Sequence, residues 1–305
     1  MTPELIEYAG WKNCLRLSNG IVELIATLDV GPRVIRLGYV NGQNLFAEFA
    51  DQVGQTGGDE WKIYGGHRLW HAPEVEPRTY YPDNAPVQHA WDGRTLTLTP
   101  PPEISNRLQL AMEITLDQEQ PVASINHRIT NIGVWEVELA PWSLSVMAPG
   151  GHAVFPQERY IPHGESYAPA RPLILWHFTD MSDPRWIWGE KYVQLRADST
   201  PETKQKAGAL NTEGWAAYLL NGVALIKRFP CIAGALYPDM GCNCEFFAMP
   251  GFLEVETLGP LTRIPPGKSV QHEENWMLAR LDATTDEAEL DKELRPLAAI
   301  LLRRN

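Results

Sequence analysis

Two glutamates stand two positions apart near the end of the chain, in the segment Phe252–Leu258. If this segment is a β-strand, Glu254 and Glu256 share one face, and their Cα atoms lie about 6.5–7 Å apart. Two carboxylates this close raise the pKa of at least one of them where the site is partly dry. One glutamate could then act as a base and the other as an acid or hydrogen-bonding partner. The alternative is a pair of solvated carboxylates on an exposed strand face.

A second group of chemically active side chains follows the pair Gly65-Gly66. Glycines allow the backbone a tight turn or a close approach to a ligand, and the next residues include His67, Arg68, Trp70, His71 and Glu74. A neutral imidazole offers one donor and one acceptor, which suits a hydroxyl group. On a helix, His67 and His71 would share a face and could bind a metal. On a strand they would stand ~13 Å apart, too far for one ion.

The elements that must position these side chains are short strands. Apolar residues alternate with polar ones or form short apolar runs along most of the chain, and pairs such as Asn19-Gly20 and Asn41-Gly42 separate them. Asn-Gly between such runs is a strong hairpin signal. No alternation of strands with helices and no glycine-rich nucleotide loop is visible. The pattern predicts an all-β fold, an antiparallel sandwich formed by a single domain over residues 1–305.

One helix is predicted, at the end of the chain over residues 285–304. Thr284 and Glu287 have the spacing of a capping box, and leucines follow at helical intervals. Pro296 lies inside this pattern and is expected to kink or split the helix. We expect the helix to pack on the outside of the sandwich.

Composition limits the classes of partner. The net charge is −12 and no cluster of basic residues occurs before the last few positions, so we expect no nucleic acid and no anionic membrane as a partner. The four cysteines are interpreted as free thiols of a reducing compartment. The start of the chain lacks the features of a signal peptide, and no apolar run approaches a membrane span. We therefore expect a cytoplasmic protein without a resident metal or cofactor.

Four segments together resemble the galactose mutarotase-like superfamily, which includes the aldose 1-epimerases. They are Gly31–Leu37, Gly65–Glu74, Pro141–Gly151 and Gly251–Pro260, and their order and spacing extend over nearly the whole chain. The resemblance implies an antiparallel β-supersandwich with a cleft for a small-molecule carbohydrate on its concave face.

The resemblance also implies roles for individual residues. In the epimerases a late-strand glutamate removes the proton of the anomeric hydroxyl, which corresponds here to Glu256 or Glu254. A histidine and an arginine near the early glycines hold the sugar, which points to His67 and Arg68. The acid of the epimerases is a middle-strand histidine followed by an aromatic pair, whereas this chain has Pro141-Trp142-Ser143 at that place. We expect Glu256, Glu254 and His67 to be catalytic.

Further residues are expected to bind the sugar. The chain has 11 tryptophans, whose rings can stack on a pyranose or fill a core; Trp70 and Trp142 are the two that we expect at the cleft. Arg68, His71 and Glu74 belong to the early polar segment. His152 follows two glycines and could reach over the cleft to replace the missing acid.

Three functions are compatible with these residues. The first is an aldose 1-epimerase-like isomerase that acts at a sugar's anomeric centre by Glu/His acid–base catalysis. The second is a non-catalytic carbohydrate-binding or sensing domain, which the missing middle-strand histidine favours. The third is a sugar lyase or hydrolase that uses the paired carboxylates or a metal at His67, His71 and Glu74. The choice between Glu254 and Glu256 as the base stays open at this point.

Overall fold

The structure is a computed structural model that describes residues 1–198, 202–282 and 284–302. Its elements in chain order are β1 (Glu4–Tyr8), β2 (Trp11–Ser18), β3 (Val22–Thr27), β4 (Val34–Tyr39), β5 (Gly66–Ala72), β6 (Gln88–Trp91), β7 (Thr95–Thr99), β8 (Leu108–Leu116), β9 (Val122–Asn131), β10 (Val137–Met147), β11 (His152–Pro156), β12 (Ile174–Leu175), β13 (Trp186–Trp188), β14 (Tyr192–Arg196), β15 (Gln205–Ala209), β16 (Trp215–Leu220), β17 (Val223–Arg228), β18 (Cys244–Met249), β19 (Phe252–Leu258), β20 (Thr262–Ile264), β21 (Ser269–Arg280) and α1 (Glu287–Leu302).

These strands form two sheets. The first has 11 strands in the order β1-β2-β3-β4-β5-β10-β19-β18-β15-β12, with β20 attached to β10. The second has 10 strands in the order β13-β14-β11-β16-β17-β21-β9-β8-β7-β6. All pairings between the named strands are antiparallel, as in the neighbours β10 and β19. The prediction of an all-β antiparallel sandwich with a C-terminal helix is confirmed.

The main core lies between the two sheets. Leu253 and Val255 of β19 are buried in it together with Leu225 of β17 and Trp276 of β21. Because successive side chains of a strand point to opposite faces, Glu254 between them and Glu256 after them must point away from the second sheet. The outer face of the first sheet is therefore available for a site.

Helix α1 covers the outer face of the second sheet. Leu290, Leu294 and Leu301 pack there against Ala224 and Ile226 of β17. Burial of these leucines, each worth about 1.5–3 kcal/mol, holds the helix on the sheet. This location confirms that the helix packs on the outside of the sandwich.

The ends of α1 differ in detail from the prediction. Asp286, not Thr284, caps the helix, because its carboxylate accepts hydrogen bonds from the N–H groups of Ala288 and Glu289 at 2.9 and 3.0 Å. Pro296 lies inside one continuous helix, so the expected split does not occur. Buried leucines on both sides of the proline hold the two halves on the same sheet. Residues 303–304 of the predicted helix lie outside the described residues.

No helix among the described residues is long and apolar enough to cross a membrane.

Strand β5 begins at a close approach between backbones. Gly65 and Gly66 have φ values of +106° and +71°. A Cβ atom on Gly65 would lie 2.0 Å from the carbonyl oxygen of Ala47, and one on Gly66 would lie 2.6 Å from that of Val34. Only glycine fits both constraints. The two glycines therefore fix the position at which β5 enters the sheet.

We predict that Gly65→Ala lowers the free energy of unfolding by about 3 kcal/mol or more, since it adds a steric clash to the strain of a positive φ. Gly93→Ala is the matched control: Gly93 has φ +99° but no atom within 4 Å of an added Cβ, so only the strain of about 1–2 kcal/mol remains. Urea denaturation of both variants measures the difference. Equal losses in the two variants would contradict the close approach at Gly65.

Candidate functional site

A cleft of about 290 Å³ lies on the outer face of the first sheet. Its floor consists of side chains from neighbouring strands, namely Arg68 and Trp70 (β5), Trp142 (β10), Lys206 (β15), and Glu254 and Glu256 (β19). Two loop residues, Trp61 and Trp176, belong to its walls. We refer to these eight residues as the cleft. Strand alternation explains the set, because each floor residue is next to one that faces the core.

An ion pair between Arg68 and Glu254 forms one half of the floor. Arg68 Nη2 lies 3.2 Å from Glu254 Oε1, and the guanidinium carbon lies 4.4 Å from the Trp70 ring centroid and 5.3 Å from that of Trp61. Burial raises the pKa of Glu254 to about 6, although the charge of Arg68 lowers it. Glu254 is thus a stronger base than an ordinary glutamate and is still ionised at neutral pH.

Lys206 and Glu256 form the other half. Lys206 Nζ lies 2.9 Å from Glu256 Oε2 and 2.9 Å from Glu245 Oε2. The ammonium nitrogen also lies 4.7 Å from the ring centroids of both Trp142 and Trp176. Burial lowers the pKa of Lys206, but the two carboxylates outweigh it and raise this pKa above its ordinary value. Lys206 therefore stays cationic at neutral pH.

Several buried polar atoms of the cleft have no hydrogen-bond partner among the described residues. They are Nε and Nη1 of Arg68, Oε1 of Glu254, Oε1 of Glu256 and Nε1 of Trp61. Buried donors and acceptors normally have partners, because an unpaired group loses about 1–3 kcal/mol of hydration. The cleft therefore offers both donors and acceptors to a ligand that carries both kinds of group.

Similarity to known proteins appears only at the level of structure. No protein-family model and no curated protein matches the chain. A galactose mutarotase-like protein from Lactobacillus casei ATCC 334 has a TM-score of 0.55 at 10% identity, covering 88% of this chain and 100% of that one. A galactose mutarotase-like protein from Clostridium acetobutylicum has a TM-score of 0.54 at 12% identity, over 92% and 98% of the two chains. The chain has a galactose mutarotase-like fold.

A candidate aldose 1-epimerase from Escherichia coli K12 shares this mutarotase-like fold. Its TM-score is 0.51 at 14% identity, and the match covers 88% of this chain and 99% of that one.

Six of the residues selected from the sequence come together on the mutarotase-like scaffold. Arg68, Trp70, Trp142, Glu254 and Glu256 lie in the cleft, and Glu74 lies exposed at its rim, where it accepts a hydrogen bond from Tyr80. The predicted alternation along β19 is also observed, since Leu253 and Val255 are in the core.

His67 does not meet the two glutamates, contrary to expectation. It precedes Arg68 on β5, so the two side chains point to opposite faces of the sheet. His67 is fully buried between the sheets, where its Nε2–H donates to Nε2 of His127 at 2.7 Å and its Nδ1 accepts from the Ser145 hydroxyl at 2.8 Å. The imidazole is therefore separated from the cleft by the sheet itself.

The alternative metal site at His67, His71 and Glu74 is not assembled either. His71 is on the same face of β5 as His67, and its Nε2–H donates to Glu103 at 3.1 Å. Glu74 lies at the rim of the cleft on the other side of the sheet. Because the three groups have separate partners on two faces, they do not converge on one ion.

His152 lies in the second sheet and not at the cleft. It is on β11, two residues before Val154, whose side chain packs against α1. Strand alternation places the buried imidazole on the same outer face, close to Thr284 at the start of the helix segment. The expectation that His152 reaches over the cleft is wrong, because the turn at Gly150-Gly151 leads into a strand of the other sheet.

Three residues of the cleft were not selected from the sequence. Trp61 and Trp176 come from irregular segments, where no periodicity indicates which ring faces a ligand. Lys206 comes from the short strand Gln205–Ala209, whose small residues give no alternation of apolar and polar types. The pairing of β15 with β18 places Lys206 beside Phe247. No residue pattern close to position 206 in the sequence predicts this long-range pairing.

A second group of buried polar residues lies between the sheets. Lys227 Nζ is 2.9 Å from Glu274 Oε1, and Glu274 also accepts hydrogen bonds from Ser143, Thr257 and Trp276 at 2.6, 2.5 and 2.7 Å. Ligand atoms of His67, His127 and Glu274 lie within 4.8 Å of one another. Both oxygens of Glu274 already have donors, so this inter-sheet network is satisfied without a metal.

We predict that Lys227→Met lowers the free energy of unfolding by about 3–5 kcal/mol, because it leaves Glu274 charged, buried and unpaired. Lys292→Met is the control: Lys292 pairs with Glu293 at the surface, and its loss should cost about 0.5 kcal/mol or less. Chemical denaturation measures both values. A loss below about 1 kcal/mol for Lys227→Met would show that the inter-sheet pair does not hold the sheets together.

Proposed function

We propose that the cleft binds a monosaccharide and interconverts the two anomers of its ring, as an aldose 1-epimerase does. The observation that carries this proposal is the pair Glu254 and Glu256 on the cleft floor, where Glu254 has a pKa of about 6 and both residues lie among tryptophan rings. A carboxylate pair of this kind can move the proton of a sugar hydroxyl near neutral pH.

The shape and chemistry of the cleft suit a sugar. Its volume of about 290 Å³ is at the small end of the ~300–1,000 Å³ range of small-molecule sites, which fits one ring. The partly exposed ring of Trp70 offers aromatic surface for the C–H face of a pyranose. The unpaired atoms of Arg68, Glu256 and Trp61 can bond its hydroxyl groups, each of which both donates and accepts.

Glu254 is the base in this proposal. Glu256 Oε2 already accepts hydrogen bonds from Trp142 Nε1 and Lys206 Nζ, both at 2.9 Å, so that carboxylate is fixed and neutralised. Glu254 has Arg68 as its ion-pair partner and a raised pKa. Glu256 then orients the sugar through its free Oε1 atom.

The reaction involves only proton transfer and one ring bond. Glu254 removes the proton of the anomeric hydroxyl, the carbonyl forms at C1, and the bond between C1 and the ring oxygen breaks. The open aldehyde rotates about the C1–C2 bond, and the ring oxygen attacks the other face of C1. Glu254 then returns the proton to the anomeric oxygen.

A second candidate is a carbohydrate-binding domain without catalysis. It is favoured by one observation: the residues that line the cleft, within the described part of the chain, include no histidine. The epimerases use a histidine as the acid, and a cleft without one could bind a sugar and leave its anomers unchanged.

Saturation-transfer NMR on α-glucose and α-galactose distinguishes the two candidates. Exchange between anomers faster than in protein-free buffer, together with saturable binding, supports the epimerase. Binding without added exchange supports the second candidate, and sugars that neither bind nor exchange would remove the carbohydrate proposal.

We predict that Glu254→Gln lowers the rate of anomer exchange at least about 100-fold and changes the Kd of the sugar only a few-fold, because the amide keeps the shape but cannot take a proton. Glu23→Gln is the control, since Glu23 is also buried in the first sheet but pairs with Arg16 and Arg36 outside the cleft. Polarimetry on fresh α-anomer measures the rate. Full activity in Glu254→Gln would exclude Glu254 as the base.

We predict that activity falls as the pH drops through about 6, because Glu254 must be ionised and burial raises its pKa to about 6. The sign follows from the base role: the carboxylate is ionised above this pKa and protonated below it. A pH profile of kcat/KM from polarimetry, corrected for uncatalysed exchange, measures the inflection. A profile that stays flat down to pH 4.5, the ordinary pKa of a glutamate, would contradict the assignment.

A further inference from the structure

We infer that Lys206 is the acid of this reaction, and that its ammonium group gives a proton to the ring oxygen while Glu254 takes the proton of the anomeric hydroxyl. This inference rests on the proposed function and deepens it, since it assigns the group that replaces the histidine of the epimerases. The inference is based on the position of Lys206 in the cleft and on the hydrogen bonds of its ammonium group.

The ammonium group lies at the floor of the cleft with one donor to spare. Lys206 is 5% exposed, and its Nζ contacts one oxygen each of Glu245 and Glu256 at 2.9 Å. An ammonium group has three N–H donors. One of them donates to Glu256 Oε2, and the ion pair with Glu245 engages a second, so one N–H has no hydrogen-bond partner among the described residues. The ammonium group lies near the rings of Trp142 and Trp176 at the floor of the cleft.

The other proton-bearing groups of the cleft are poorly suited to this role. The guanidinium of Arg68 does not release a proton in proteins. The hydroxyl of Tyr80 donates to Glu74 at the rim, and Lys204 is exposed at the cleft wall. Lys206 is the buried group that combines a releasable proton with a position beside Glu256 on the floor.

The step balances in protons and electron pairs. As Glu254 takes the proton from the anomeric hydroxyl, the O–H electron pair forms the C1 carbonyl. The pair of the C1–ring oxygen bond moves to the ring oxygen, which takes a proton from Lys206 Nζ and becomes a hydroxyl. On closure, the neutral amine takes this proton back as the ring oxygen attacks C1, and Glu254 returns its proton to the anomeric oxygen.

The surroundings of Lys206 favour the return of the proton on ring closure. Its release on ring opening depends on the negative charge that develops on the ring oxygen, since the same carboxylates make this ammonium a weaker acid than an ordinary lysine. The carboxylates of Glu245 and Glu256 make the neutral amine strongly basic, which promotes the return of the proton. Both enzyme groups are therefore restored after each turnover.

Lys206→Arg is the decisive variant, because arginine keeps the charge next to Glu245 and Glu256 but cannot release a proton. We expect kcat for anomer exchange to fall at least about 100-fold, with the Kd of the sugar within about threefold of the wild type. Exchange followed by polarimetry and binding followed by NMR titration give the two values. A kcat above about one tenth of the wild-type value would overturn the assignment.

A charge-balanced variant covers the case in which Lys206→Arg does not fold. Lys206→Met with Glu245→Gln removes one cation and one carboxylate together, so the net charge of the floor does not change, and Glu256 keeps the hydrogen bond from Trp142 Nε1. The same loss of kcat is expected, and retained exchange would again overturn the assignment. Lys191→Met is the control with unchanged activity, since Lys191 pairs with Asp291 on the surface of the other sheet.

The wild-type rate separates this inference from the proposed function. A wild-type protein that binds sugar without anomer exchange overturns both the epimerase and the acid role of Lys206. An active wild type with an active Lys206→Arg variant overturns only the acid role and leaves Glu254 as the base.

Discussion

The burial of four charges on one face of the first sheet is the constraint on which the site depends. Arg68, Lys206, Glu254 and Glu256 are 2, 5, 6 and 0% exposed. Charges this deep are tolerated only as pairs, and the strand order β5-β10-β19-β18-β15 brings each cation to a carboxylate. Tryptophan rings beside both cations exclude water further. The floor of the cleft is therefore a buried, charged surface, and this burial is the condition that changes the basicity of Glu254.

Strand alternation gives the same strands two separate polar sites. On β5, Arg68 faces the cleft and His67 faces the inter-sheet network; on β19, Glu256 faces the cleft and Thr257 bonds to Glu274. The two networks are separated by the sheet itself, whose backbone groups are engaged in ladder hydrogen bonds. His67 and His127 thus belong to the contact between the sheets, while the outer face carries carboxylates and a lysine.

The sequence contained most of the information about the fold and about half of the information about the site. Alternation predicted the sandwich and correctly placed Glu254 and Glu256 on one face, because that signal is local. The same rule, applied to consecutive residues, would have shown that His67 and Arg68 cannot both face the cleft on a strand. Lys206 could not have been found this way, since its role depends on the pairing of β15 with β18, which nothing near residue 206 encodes.

The composition of the cleft indicates why a lysine rather than a histidine suits this floor. A histidine buried beside Arg68 would lose its charge, as the pKa of the buried His67 does fall well below its ordinary value. A lysine between two carboxylates keeps its proton under the same burial, because Glu245 and Glu256 outweigh the desolvation. At this buried floor, Lys206 therefore keeps a proton that a histidine would lose. Its pairing with Glu256 places a fixed carboxylate and a charged donor in one contact.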